Sequence, residues 1–165
     1  MRDLGRDAIW FEYVSDPAAA TADFVGKFDA VVLDAPADRF PSLAAVPAAR
    51  RIAAAGGKSA SYAGDLGDPA HCAQAVATAT EAFGRLDVLC NVAGILRFHA
   101  LDKVTTDDWA RLFAANVTAP FFMMQAAMPH LVETKGNVVN VVSTAAFLGQ
   151  AYTAPYSATK AALLS

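Results

Sequence analysis

Apolar and polar positions fall into two kinds of block along this chain. Short apolar runs, rich in β-branched residues, occupy Phe28 to Asp34 (FDAVVLD), Leu86 to Asn91 (LDVLCN) and Gly136 to Val142 (GNVVNVV). Ser59 to Ala63 is a weaker run of the same kind. Each has the length of a buried strand. Longer amphipathic segments lie between them. A weak helix is predicted from Leu43 to Ala55, with Pro47 near its first turn and Gly56-Gly57 as its stop. Asp68 followed by Pro69 reads as a helix start. That helix is predicted to carry Ala70, Ala73, Val76, Ala77 and Phe83 on its apolar side and to stop at Gly84. Thr105 or Thr106 caps a long helix with Asp107 and Asp108 in its first turn, where the dipole favours acids. Its apolar face begins with Trp109, Leu112 and Phe113, and Pro120 is expected to kink or interrupt it. Thr153 to Pro155 leads into a last helix that holds Tyr156 and Lys160.

Strand and helix alternate throughout. That order predicts an α/β fold: a parallel sheet covered by helices on both faces, doubly wound, in three layers. Ligands of such sheets bind beyond the carboxyl ends of the strands. Asp34, Asp65, Asn91 and Ser143 all fall at or just after predicted strand ends.

Composition narrows the class. The chain has 165 residues, 55% of them hydrophobic and 18% charged, enough apolar material for a core and one domain. The net charge of −3 argues against nucleic-acid binding. Two cysteines, Cys72 and Cys90, are too few for a disulfide framework and fit a reducing, cytoplasmic setting. The first sixteen residues have the charges and lack the apolar core expected of a secretory signal. Leu112 to Val132 is free of Asp, Glu, Lys and Arg, but Asn116, Gln125, His130 and two prolines favour a helix buried in protein over one in lipid. His71, His99 and His130 show no metal-ligand spacing with the cysteines, so no metal is expected.

The candidate chemistry lies near the carboxyl end. Lys160 is the sole Asp, Glu, Lys or Arg between Gly136 and Ser165, and Tyr156 precedes it by four residues. On a helix the two share a face. Ser143 sits at the end of the preceding strand. A free tyrosine has a pKa of about 10, and bringing it near 7 takes roughly 4 kcal/mol. A unit charge about 4 Å away, at an effective dielectric near 20, supplies a term of about that size. Lys160 can thus help make Tyr156 a general acid or base, while Ser143 holds the substrate oxygen.

With Asn116 and the loop at Asn91 added, the chain resembles the short-chain dehydrogenase/reductase family in its compact single-domain form. The likeness runs from about Phe28 to Ser165, through VVLD, GDLGD, LDVLCNVAGI, FAANVTAPF, NVVNVVSTAAF and APYSATKAAL. It implies a Rossmann-type sheet and hydride transfer between a nicotinamide cofactor and an alcohol or ketone. It implies Tyr156 as the acid/base and Lys160 as the group that lowers its pKa and binds the nicotinamide ribose. Ser143 would position the carbonyl, and Asn116 would hold a water linking Lys160 to solvent. Asn91, Ala93 and Gly94 would line the cofactor, and Asp65 and Leu66 would contact its adenine. Asp34 would accept from a ribose diol and repel a 2′-phosphate, favouring NAD over NADP. On the residues alone, second readings stand beside these: Asp34 and Asp65 as turn formers, Asn116 as the mark of a helix distortion, Asn91 as the partner of a turn backbone.

Two features depart from the family pattern. A glycine-rich turn is expected about 20 residues before Asp34. The chain there reads YVSDPAAATADF, and no glycine occurs between Gly5 and Gly26, so side chains are expected to crowd a pyrophosphate. The resemblance also implies further strands and helices beyond Ser165. The sheet is therefore expected to be incomplete, a single partial domain over 1–165 with residues 1–27 divergent and the Ser143 strand at an edge. An alternative to an active oxidoreductase is an impaired fragment that acts as an oligomerising interaction protein. The helices over 106–132 and from 156 would supply its pairing surface.

Overall fold

The computed structural model describes residues 54, 57–62 and 64–165, together with the backbone of two short strands at 11–12 and 32–33. Five strands form one sheet: β1 (Phe11–Glu12), β2 (Val32–Leu33), β3 (Ala60–Ser61), β4 (Val88–Asn91) and β5 (Asn137–Asn140). Their order is β3-β2-β1-β4-β5, and every pairing is parallel. This is the order of a doubly wound Rossmann sheet, with the crossover beside β1 and β4. The predicted α/β class stands. β1 is an addition, because no strand is predicted before Phe28. Glu12 interrupts the apolar run around it, and a single acid in a two-residue strand hides its period. Among the described residues β5 is an edge, paired only with β4. Of the predicted helix Leu43 to Ala55 only Ala54 is described, and it is helical.

Helix α1 (Pro69–Phe83) begins where expected. The Asp68 carboxylate accepts from Ala70 N at 2.9 Å, and Pro69 takes a first-turn position that needs no N–H. Gly84 ends it at φ 77°, a left-handed conformation that glycine adopts without strain. Its buried face differs from the prediction. Cys72, Ala75, Val76 and Ala79 point inward, whereas Ala70 and Ala73 are exposed. The helix has an alanine on nearly every side, so alanine positions alone do not mark the inner face.

Helix α2 (Thr106–Phe113) is capped by Thr105 through a reciprocal box with Asp108. The Thr105 hydroxyl is also the main reason the Asp108 carboxyl is held below its ordinary range. Leu112 is fully buried, but Trp109 is not: it is exposed and stacks on Phe113, with centroids 4.6 Å apart. The helix then passes through a π-helical segment, Ala114–Thr118, into α3 (Ala119–Thr134). Pro120 therefore acts as a first-turn residue of α3. Having no N–H, it gives nothing to the carbonyl four residues back, that of Asn116, which leaves this carbonyl without its ordinary α-helical partner. The predicted interruption thus takes the form of a wider turn.

The core lies where α1 and α3 pack together beside β4. Leu66, Leu86, Leu89, Met123, Ala127 and Leu131 close it with the inner face of α1. Burying each of the leucines contributes about 1.5–3 kcal/mol. Helix α4 (Ala154–Leu164) packs instead against α2, the π segment and the short turn Thr144–Ala146. This second contact region carries the candidate site.

Candidate active site

The site forms at the carboxyl ends of β4 and β5. β4 ends at Asn91, which is buried, and its side-chain Nδ2 donates to Asn140 Oδ1 on β5 at 2.8 Å. The Asn91 carbonyl accepts from Val141 N at 2.9 Å, extending the ladder one step past the strands. The Asn91 side chain thus serves a cross-strand amide pair, which neither reading of the residue included. The chain then turns through Val92–Gly94.

Asn116, in the π segment, is fully buried. Its Oδ1 accepts from Ile95 N at 2.8 Å, and its Nδ2 donates to Ile95 O at 2.9 Å and to Thr159 Oγ1 at 3.0 Å. Asn116 lies in the distorted stretch of the helix, and its side chain ties the β4 loop to α4, a contact that neither reading of the residue included. A Cβ on Gly94 would lie 3.2 Å from Asn116 Oδ1 and 3.4 Å from Lys160 Nζ, so glycine here lets the backbone pass close to both.

Helix α4 supplies Tyr156, Thr159 and Lys160. Thr159 is buried and donates to the Tyr156 carbonyl at 2.7 Å. Lys160 is 3% exposed, yet has no carboxylate partner among the described residues. Its Nζ donates to Val141 O at 2.8 Å and stands 5.9 Å from the centroid of the Tyr156 ring. Burial disfavours the charge and moves the Lys160 ammonium below the ordinary lysine value. Burial likewise pushes the Cys90 thiol up. Ser143 opens the Thr144–Ala146 turn, where its Oγ accepts from Ala145 N at 3.2 Å. Its O–H remains able to donate. Since α4 packs on that turn, the hydroxyl, phenol and ammonium belong to one region of the fold.

The other predicted residues lie apart from this cluster. Asp65 is exposed and folds its own turn, its Oδ1 accepting from Gly67 N at 2.9 Å. The Leu66 side chain is part of the core. This turn follows β3, and a Cβ on Gly67 would meet Ala114 of the π segment at 3.4 Å. Ala93 is half-buried in the β4 loop. Asp34 lies outside the described residues. The sequence reading missed Asn140, Thr159 and Thr153. Thr153 is buried, with its hydroxyl on Gln150 O at 3.0 Å and beside Ser157 Oγ at 3.2 Å. One signal was available for Asn140: it is an amide inside the apolar run GNVVNVV.

Among the described residues no cluster of three His, Cys, Asp or Glu can hold a metal. No described helix is long and apolar enough to cross a membrane. Cys72 and Cys90 are both buried.

A model of the short chain dehydrogenase family matches residues 30–165. The chain belongs to that family. A 2,5-dichloro-2,5-cyclohexadiene-1,4-diol dehydrogenase of Sphingobium indicum is 38% identical over 113 residues, 68% of this chain and 45% of the relative. An L-rhamnose 1-dehydrogenase (NAD(P)(+)) of a Sphingomonas species is 37% identical over 116 residues, 69% of this chain and 46% of the relative. The chain thus spans less than half the length of these relatives. Among solved structures, a metagenomic short-chain oxidoreductase in complex with NADP is 30% identical at a TM-score of 0.84, over 96% of this chain and 72% of that one. A short-chain dehydrogenase/reductase of Serratia marcescens superposes at a TM-score of 0.85 and 28% identity, over 97% of this chain and 64% of the other. Short-chain dehydrogenases are oxidoreductases that work with nicotinamide cofactors, and the fold of this chain belongs to that family.

Proposed function

We propose that the protein transfers hydride between NAD and an alcohol or ketone, with Tyr156, Lys160, Ser143 and Asn116 as its working residues. The observation that carries this reading is the buried Lys160 ammonium, which has no carboxylate partner among the described residues and sits one helical turn from the Tyr156 ring. A buried amine with no counter-ion is expensive to keep, and a function that uses its charge accounts for it.

The described residues fit the nicotinamide end of such a cofactor. The glycine at 94 keeps the backbone low beside Asn116 and Lys160, where any Cβ would intrude. NAD, when bound, supplies or receives the hydride. In reduction the Tyr156 phenol gives its proton to the substrate oxygen, and in oxidation the phenolate takes it back. Lys160 stabilises that phenolate by its charge and donates to the ribose hydroxyls. The Ser143 hydroxyl donates to the same substrate oxygen and holds it at the phenol. Asn116 holds a water that links Lys160 to solvent, a role favoured by the carbonyl that Pro120 leaves without its usual donor. Asn91, Ala93 and Gly94 line the cofactor, and Asp65 and Leu66 lie against its adenine. Asp34 selects NAD, because a carboxylate accepts from a ribose diol and repels a 2′-phosphate. Relatives named for acting on a diol and a sugar support the alcohol class of substrate.

The protein is read as a cytoplasmic homo-oligomer. A cysteine count of two, too few for a disulfide framework, supports the compartment, and the exposed stripe of Phe121, Met128 and Val132 on α3 supports pairing through the helices at 106–132. The direct test is NADH binding by the purified chain, followed by turnover of a panel of ketones and alcohols. Binding with turnover that Tyr156→Phe abolishes supports the reading. The absence of binding at millimolar NADH refutes it for this chain.

A further inference from the structure

We propose that Asn140 is a positioning residue for Lys160, acting through a cross-strand amide clasp with Asn91 that fixes the Val141 carbonyl. The inference rests on the function proposed above only for its purpose; the geometry stands by itself. Asn91 and Asn140 are register partners at the last paired step of β4 and β5. Asn91 Nδ2 donates to Asn140 Oδ1 at 2.8 Å. Asn140 Nδ2 in turn approaches Met124 Sδ on α3 at 3.7 Å. Immediately beyond, Val141 N donates to Asn91 O at 2.9 Å, and Val141 O accepts from Lys160 Nζ at 2.8 Å.

Each step holds the next. Among the described residues β5 pairs only with β4, and Val139 and Val141 are exposed, so the ties to β4 are those that hold its end here. Past Asn140 the chain leaves the sheet, and one backbone bond alone ties Val141 to β4. The side-chain clasp adds a second tie one residue earlier. It thereby fixes the direction of the carbonyl on which the buried ammonium depends. An amide suits this place because it can accept from Asn91 and still donate toward α3. A leucine keeps the branched shape at Cγ and removes both bonds. The groups that face Lys160 are Tyr156 from its own helix, Asn116 across Gly94, and the Val141 carbonyl from β5.

The test follows the Lys160 signal by NMR in the full chain labelled at lysine Cε. The chain has five lysines, and the Lys160 signal is identified by its loss in Lys160→Met. A carbonyl that accepts from an ammonium favours the charged form, so loosening it in Asn140→Leu is expected to move the Lys160 titration midpoint down by about one pH unit. Asn91→Leu is expected to give the same displacement, and the double variant no more than either single one, since the two amides act as a unit. If Asn140→Leu does not melt cooperatively, Asn140→Ser, one heavy atom too short to keep the clasp, is expected to show the downward move. An unchanged Lys160 midpoint in a folded Asn140 variant, or additive displacements in the double variant, overturns the proposal. NADH is absent from this measurement. Displacement of the midpoint in a chain that binds no NADH therefore upholds the clasp while refuting the proposed function.

Discussion

Asn116 pairs with both backbone groups of Ile95, accepting from its N–H at 2.8 Å and donating to its C=O at 2.9 Å. Its remaining amide hydrogen goes to Thr159 on α4. One buried side chain thus joins the loop after β4, the π segment and the helix that bears Tyr156 and Lys160. Replacing it with alanine removes two hydrogen bonds to half-buried Ile95 and one to buried Thr159, and leaves a void. Asn116→Ala is expected to lower the unfolding free energy by about 2–4 kcal/mol. Urea unfolding followed by circular dichroism measures this, and a loss below about 0.5 kcal/mol, the size of an ordinary surface change, contradicts the reading.

Gly94 gives a second, sharper test. A Cβ at this position meets Asn116 Oδ1 at 3.2 Å, a tight approach, and Lys160 Nζ at 3.4 Å, the edge of ordinary contact. Gly94→Ala is expected to displace these groups slightly and to fill the space beside them. NADH affinity, read by fluorescence titration, is expected to fall about tenfold, equivalent to about 1.4 kcal/mol. An affinity unchanged from that of the parent chain shows that Gly94 does not border the cofactor.

How much of this was legible beforehand depends on the kind of residue. Asp68-Pro69 and Gly84 announced α1 because caps are local chemistry, readable without knowing the fold. The inner face of α1 was not readable. Alanine tolerates either side, and only contact with α3 selects Cys72, Ala75, Val76 and Ala79. Trp109 looked like core but is amphipathic enough to lie exposed on Phe113. Tyr156 and Lys160 were legible because their relation spans one helical turn. Asn140 and Thr159 were not, since their partners, Asn91 and Asn116, are 49 and 43 residues away. Such pairs exist only once strand register and helix packing are set.

Lys160 makes stability depend on pH in a defined direction. Burial lowers its pKa from the ordinary 10.5. Between the lowered value and 10.5 the unfolded chain holds a proton that the folded chain has released. Stability therefore rises with pH across this window, and below it the full penalty of the buried charge applies. Lys160→Met removes the titration. The unfolding free energy of the parent minus that of Lys160→Met is expected to climb as pH is raised from neutrality toward 10.5. A flat or falling difference shows that the amine is solvated in the folded chain.

Asp34 sets the cofactor preference in the proposed function. Its carboxylate is matched to a free ribose diol and opposed to a 2′-phosphate. Asp34→Ser removes the charge and keeps a small polar group. The ratio of NADPH to NADH affinity is expected to rise about tenfold or more, corresponding to at least about 1.4 kcal/mol of relieved repulsion and lost ribose bonding. Paired titrations with the two reduced cofactors read this ratio, and a constant ratio removes Asp34 from the adenosine site.

Tyr156 and Ser143 are separable because their backbone roles differ. Thr159 holds Tyr156 by its carbonyl, not by its ring, so phenylalanine at 156 keeps that bond and loses only the phenolic O–H. Tyr156→Phe is expected to leave stability within about 0.5 kcal/mol of the parent, as for a change that opens no void. Its turnover is expected to fall about 10²–10⁴-fold, the range for loss of a general acid or base. Ser143, by contrast, also caps the Thr144–Ala146 turn through Ala145 N. Ser143→Ala is expected to reduce turnover and to lower stability by about 0.5–1 kcal/mol as the capping bond is lost. Steady-state rates together with urea unfolding of both variants distinguish the two patterns. Turnover that survives Tyr156→Phe moves the proton-transfer role to another group.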